Sequence, residues 1–175
     1  MWHLCADPRA VDPDGSGDAR AYATFISNAE RRVLMWGQRV AEDDEAAILW
    51  DYHVVLLVHG PGEAWTTWDL DARAGAPLPA VRWLELAFGR SGQHPPKYSP
   101  SFRLIPAAEY RRRLHSDRRH MRDASGSFLR PPPPWPAILG EGARNNLDRF
   151  IDVTSPEGPG ERLSLSQLRA RVGLR

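Results

Sequence analysis

The sequence predicts an α+β fold, a mainly antiparallel sheet with flanking helices, and three observations carry that expectation. Strand-like and helix-like segments are mixed without the strand–helix–strand rhythm of a parallel sheet. Sixteen prolines and fourteen glycines in 175 residues demand many turns and few long helices. The longest β-branched and aromatic run, Trp50-Asp51-Tyr52-His53-Val54-Val55-Leu56-Leu57-Val58, suits a buried central strand.

At this length a single domain over residues 1–175 is expected, and 42% hydrophobic residues with seven tryptophans supply its core. A net charge of +1 gives no electrostatic case for nucleic acid or acidic lipid. No apolar run reaches membrane-spanning length, and no secretory signal opens the chain. Cys5 is the only cysteine, which excludes an internal disulfide and points to a reducing compartment, cytosolic or nuclear.

Taken in order, Met1 to Cys5 reads as the tail of an apolar helical segment, and Asp7 to Asp18 as a surface loop rich in Asp, Pro and Gly. Asp12, Asp14, Ser16 and Gly17 match early positions of a calcium loop. Ala23 stands where its bidentate Glu belongs, so a solvated turn is the better reading. Ala21 to Ser27 and Arg32 to Trp36 are strands, with Asn28-Ala29-Glu30 as a hairpin connection. Glu42 to Glu45 is a solvated loop.

Past Gly60-Pro61-Gly62 comes a second strand, Ala64 to Asp71. A three-residue loop between the two strands puts His53 directly opposite Asp69 on one face. A one-residue slip would separate them. A carboxylate that fixes the tautomer of an imidazole is the back half of a nucleophilic triad; the alternative is a buried histidine satisfied by its neighbour.

Ala80 to Phe88 is a short amphipathic helix stopped by Gly89, Ser91 to Pro100 a loop, Phe102 to Ile105 a strand, and Ala107 to Leu114 a basic helical turn. Asp117, His120 and Asp123 would share a face on a helix and could there hold a metal. With no second histidine or cysteine joining them on that face, a hydrogen-bonded loop is preferred. Pro131 to Pro136 is extended and stiff, either a strap packed by Trp135 or a ligand for a proline-binding partner. Ser164 with Gln167 forms a capping box for the last helix, and Gly173 ends it.

Several of these segments together resemble the protein N-terminal glutamine amidohydrolases. They are Phe25-Ile26-Ser27-Asn28, Trp50 to Leu57, Asp69-Leu70-Asp71, Ser116-Asp117-Arg118 with His120-Met121, Ser125-Gly126, Pro131 to Pro136, Asn146-Leu147 and the terminal helix. The resemblance implies a papain-like or transglutaminase-like fold, a monomer, and a Cys-His-Asp triad with His53 and Asp69 in the histidine and aspartate places. It implies hydrolysis of the side-chain amide of a protein's first residue, glutamine, to glutamate and ammonia through a thioester. In the N-degron pathway the product is then arginylated and the protein degraded. No metal or cofactor is required. Selecting a first residue also needs an acceptor for its ammonium group, for which Asp51 and Asp71 are the nearby carboxylates.

The sequence departs from that pattern at its start. Trp2-His3-Leu4-Cys5 matches the segment that follows the nucleophile, so the nucleophile's place falls before Met1 and the first helix lacks its beginning. Cys5 itself is followed by Pro8, Pro13, Gly15 and Gly17, which deny it a helix whose dipole would stabilise a thiolate. The 175-residue chain is therefore expected to be inactive and less stable than a form with that helix complete. Three rival readings are a non-catalytic binder of N-terminal Gln peptides, an adaptor working through the proline tract, and a general cysteine protease.

Overall fold

The computed structural model describes residues 1–17, 19–60, 64–90, 95–129, 131–132, 134–141 and 144–174, with His120 described in its backbone only. A 3-10 turn, Leu4–Ala6, leads into α1 (Pro8–Val11). The first half continues with β1 (Arg20–Ser27), β2 (Val33–Met35), β3 (Ile48–Trp50), β4 (His53–His59), β5 (Trp65–Trp68), β6 (Leu78–Pro79) and α2 (Ala80–Phe88). The second contributes β7 (Ser101–Pro106), α3 (Ala107–Arg113), β8 (His115–Ser116), β9 (Ile138–Leu139), α4 (Leu147–Ile151), β10 (Glu161–Ser164) and α5 (Leu165–Arg171). Six of the strands form one sheet in the order β10-β7-β1-β4-β5-β6, every neighbouring pair antiparallel. The expected α+β class with a mainly antiparallel sheet is what the chain adopts.

Both faces of the sheet are covered, because alternate side chains of β1, β4 and β7 point to opposite sides. Ile26, Val55, Leu57, Phe102 and Leu104 pack beneath α2 and α5 with Trp83, Phe88 and Leu168. Ala23, Phe25, Leu56, Val58 and Ile105 face the other way, against Cys5, Ala10, Tyr110 and Phe150. His53 shares the parity of Val55 and Leu57 and lies opposite Ile26 of β1, so it belongs to the α2 side.

Local signals explain most elements. In α2 the buried positions Ala80, Trp83, Leu84, Ala87 and Phe88 make one stripe, and Gly89 is its C-cap. The Ser164–Gln167 capping box is present in both directions, and Gly173, at φ 84°, ends the run after α5. Pro8 does not forbid α1, contrary to expectation. It occupies the first turn, where a missing N–H costs nothing, and the Asp7 side chain caps the Arg9 amide.

Several boundaries differ from the sequence reading. The run 50–58 is broken: Trp50 ends β3, and β4 begins only at His53. The break is held by Ser27 Oγ, which donates to the Asp51 carbonyl at 2.7 Å, and by the Asp51 carboxylate, which accepts the Tyr52 amide at 2.8 Å. Asn28-Ala29-Glu30 does not join a hairpin, because β2 pairs with β3 while β1 pairs with β4 and β7. There the Asn28 side chain accepts the Glu30 and Arg32 amides, folding a turn that carries the chain off the sheet.

Asp12 accepts the Gly17 amide at 2.9 Å and Ala23 is buried in β1, the arrangement of a plain turn. Asp18 of that loop lies outside the described residues, as do Pro61, Gly62, residues 91–94, Arg130 and Pro133 of the segments discussed above. Asp117 and Asp123 each close their own turn, on Arg119 and on Ser125 and Ser127, and only a 3-10 turn, Arg119–Met121, separates them. The side chain of His120 is outside the described set. Trp135 is not buried as a strap anchor; it stays 47% exposed, and Arg118 holds that segment by donating to the carbonyls of Trp135 and Pro136. Among the described residues no helix is long and apolar enough to cross a membrane.

A buried cation organises the end of the chain. Arg103 of β7 is fully buried and donates to the carbonyls of Asp152 (2.9 and 2.6 Å), Ser155 (2.6 Å) and Pro159 (3.0 Å). A Cβ at Gly158 would strike its guanidinium, and one at Gly160, where φ is 73°, would strike the Leu104 carbonyl. Segment 152–160 is thus moulded onto one side chain in place of regular backbone pairing.

Candidate active site

His53 and Asp69 touch. The Nε2 of His53 lies 2.8 Å from Oδ1 of Asp69, with the side chains 5% and 1% exposed. The register that joins them is not the expected one. Leu57 faces Thr67, and His59 faces Trp65, so β5 is shifted by two residues and Asp69 approaches His53 diagonally. A shift of two preserves the face where a shift of one would have lost it. β5 also stops at Trp68, because Asp69 turns the chain: its carbonyl accepts the Ala72 amide at 3.2 Å and its Oδ1 the Asp71 amide at 3.0 Å.

Two further donors reach the carboxylate. Trp83 Nε1 of α2 donates to Asp69 Oδ2 at 3.0 Å, and Gln38 Nε2 donates to the same oxygen at 3.2 Å. Burial alone would raise the Asp69 carboxyl, but the hydrogen bond and charge of His53, with the bonds from Trp83 and Gln38, hold it below the ordinary aspartate value. Asp69 is therefore an anion that only accepts, and the proton between the pair resides on Nε2 of His53. That leaves Nδ1 as the nitrogen with a lone pair to offer. The Trp50 ring leans over the imidazole, centroids 5.1 Å apart at 33°. The Trp50 Nε1 and the Gln38 Oε1 are buried without a hydrogen-bond partner among the described residues.

Of the two carboxylates considered for an ammonium group, the structure brings Asp71 to the pair and leaves Asp51 aside. One donor atom each from His53, Asp69 and Asp71 lies within 4.8 Å of the others. Such spacing could span a metal ion, but His53 Nε2 and both Asp69 oxygens already have hydrogen-bond partners. Asp51 is exposed and turned to the Tyr52 amide. Burial lowers the pKa of the Met1 amino group, and Asp71 is among the charges that oppose this, so the two lie within electrostatic reach.

Gln38 and Trp83 escaped the sequence reading, being 31 and 14 residues from Asp69 and belonging to no motif. The one available hint was a glutamine just past the Trp36-Gly37 end of a predicted strand. They also line a cavity of about 470 Å³, with Trp36, Leu78 and Leu86, that His53 does not reach.

Cys5 lies on the other side of the sheet. It is 5% exposed within the Phe25–Tyr110–Phe150 cluster, and burial pushes its thiol up to about 12. Native chain should therefore react with a disulfide reagent at about pH 8 at least about a thousandfold more slowly than urea-unfolded chain. Rapid labelling of the native protein would overturn this placement of Cys5.

Known proteins are similar to this chain over nearly its whole length. The family described as N-terminal glutamine amidase matches residues 1–172. Proteins named Protein N-terminal glutamine amidohydrolase from Drosophila grimshawi and Drosophila pseudoobscura pseudoobscura are 34% identical over 167 residues, covering 95% of this chain and 80% of each relative. That of Drosophila melanogaster is 34% identical over 168 residues with the same coverage.

Proposed function

Since the chain belongs to the N-terminal glutamine amidase family, an enzyme family, we propose that it hydrolyses the side-chain amide of an N-terminal glutamine, and that His53 and Asp69 are two members of a Cys-His-Asp triad. The observation that carries this reading is the buried 2.8 Å contact between them, with Nδ1 of His53 left to face a nucleophile. The sulfur is that of a cysteine other than Cys5. Cys5, protonated and on the far face, does not serve.

In this mechanism the thiolate attacks the Cδ carbon of the glutamine side chain. The tetrahedral intermediate expels the amine, which leaves as ammonia after His53 gives it a proton, and a thioester remains. His53 then takes a proton from water, whose oxygen attacks the thioester; glutamate departs and the thiol is restored. Asp69 holds the Nε2–H and stabilises the imidazolium formed in each half. Asp71 accepts the substrate's α-ammonium, a role that fits a half-buried carboxylate beside the reacting ring. The architecture is that of a papain-like or transglutaminase-like domain, working as a cytosolic or nuclear monomer on proteins and peptides that begin with glutamine.

Ammonia release from a Gln-initiated peptide tests the reading. The 175-residue chain should release none above background. A longer form of the chain that carries such a cysteine should release it from the free peptide and not from the Nα-acetylated one. Turnover by the short chain that vanishes in Cys5→Ala would refute the placement of the nucleophile, and an inactive extended chain would favour a binding protein.

A further inference from the structure

Resting on that reading of the dyad, we propose that Gln38 and Trp83 are positioning residues for His53, acting through Asp69. Both donate to Asp69 and not to the imidazole. Their N–H groups fill both acceptor positions of Oδ2, while His53 Nε2 and the Asp71 amide fill those of Oδ1. A carboxylate has about four such positions, so Asp69 is saturated. It can neither rotate without breaking a bond nor take a proton without displacing a donor. The imidazole is held as the Nε2–H tautomer, with the lone pair on Nδ1.

The side chains are built for this and not for stability alone. Gln38 is 1% exposed, and pointing its amide nitrogen at Asp69 leaves Oε1 without a partner, an arrangement that costs stability. Trp83 aims its only polar atom at the same oxygen from a helix that otherwise supplies apolar packing. Among the described residues, three charged side chains meet at the turn after β5: Asp71 sits in it, Arg39, next to Gln38, donates to the Ala72 carbonyl at 3.2 Å, and Arg73 pairs with Asp44 at 3.2 Å. On α2, Arg82 pairs with Glu85 at 3.5 Å, and Arg90 just beyond it pairs with Glu45. The Met1 amino group approaches through Asp71.

The sign of the pH effect follows from the depressed Asp69 pKa. Stability from this carboxylate is complete above the pKa of an unfolded aspartate and is lost as pH falls through the folded value. Removing a donor raises the folded value and narrows that window.

The test uses the 175-residue protein and needs no turnover, so its failure is separable from absence of amidase activity. Ring ¹⁵N NMR at about pH 9, with His53 assigned by its loss in His53→Ala, should show one Nε2–H tautomer. Trp83→Phe and Gln38→Leu should each give a tautomer mixture and raise the Asp69 carboxyl titration by about one pH unit. Phe88→Leu, which loosens packing on the Trp83 ring (5.7 Å centroid separation) and keeps the N–H, should move neither readout. A folded Trp83→Phe or Gln38→Leu with a single tautomer and an unshifted titration would overturn the proposal. So would Phe88→Leu shifting both readouts as far. Should Trp83→Phe fail to fold, Gln38→Leu carries the same decision.

Discussion

Replacing His53 by alanine in a longer form of the chain that carries the nucleophilic cysteine is expected to lower kcat on a Gln-initiated peptide by about a millionfold, and Asp69→Asn by about ten-thousandfold. The second loss has a specific cause. Oδ2 of Asp69 receives two donors, from Trp83 and Gln38, so an asparagine must keep its carbonyl there and turn its amino group toward His53. Two donors cannot share that 2.8 Å contact, and the imidazole would surrender the Nε2 proton and protonate Nδ1 instead. The nitrogen meant to accept from the thiol would then be blocked. Steady-state ammonia release measures both losses. Activity within tenfold of the parent for Asp69→Asn would show that the pair is structural, the buried histidine merely satisfied by its neighbour.

Arg103→Met should destabilise the fold by about 3 kcal/mol, since three carbonyls lose a buried donor at about 1 kcal/mol or more each. For a chain of this size that lowers Tm by about 6–12 °C. The exposed Arg32→Met serves as control and should stay within about 0.5 kcal/mol. Denaturation followed by circular dichroism decides it, and indistinguishable melts for the two variants would remove Arg103 from its organising place. In a longer, active form of the chain activity should survive, because Arg103 faces the side of the sheet opposite His53.

What could be read from the residues follows from the range of the forces involved. The capping box at Ser164 and the apolar stripe of α2 were legible because caps and helical faces are decided within a few residues. The His53–Asp69 pairing was legible only modulo two: alternation fixes the face, while the exact partner depends on a connection that spans 60–64 and not three residues. The contact survived a wrong register because it needed only the face. Strand partners were less legible. The pairing of β2 with β3 rather than β1 is decided by the Asn28 turn and by what covers the sheet, neither of which has a local pattern. Gln38 and Trp83 were invisible for the same reason, since a hydrogen bond across 31 residues leaves no spacing to recognise. The Arg103 clamp was likewise hidden, an arginine in an apolar strand whose partners are backbone carbonyls some fifty residues on.

The His53–Asp69 pair sits where β4 begins and just after β5 ends, at the end of the hairpin remote from its connection. Six residue steps of about 3.3 Å put roughly 20 Å between His53 and His59. The Gly60–Ala64 end is thus a natural graft point. A fluorophore or purification tag inserted there would ride on the same two strands as the His53–Asp69 pair, yet stay too distant to crowd it.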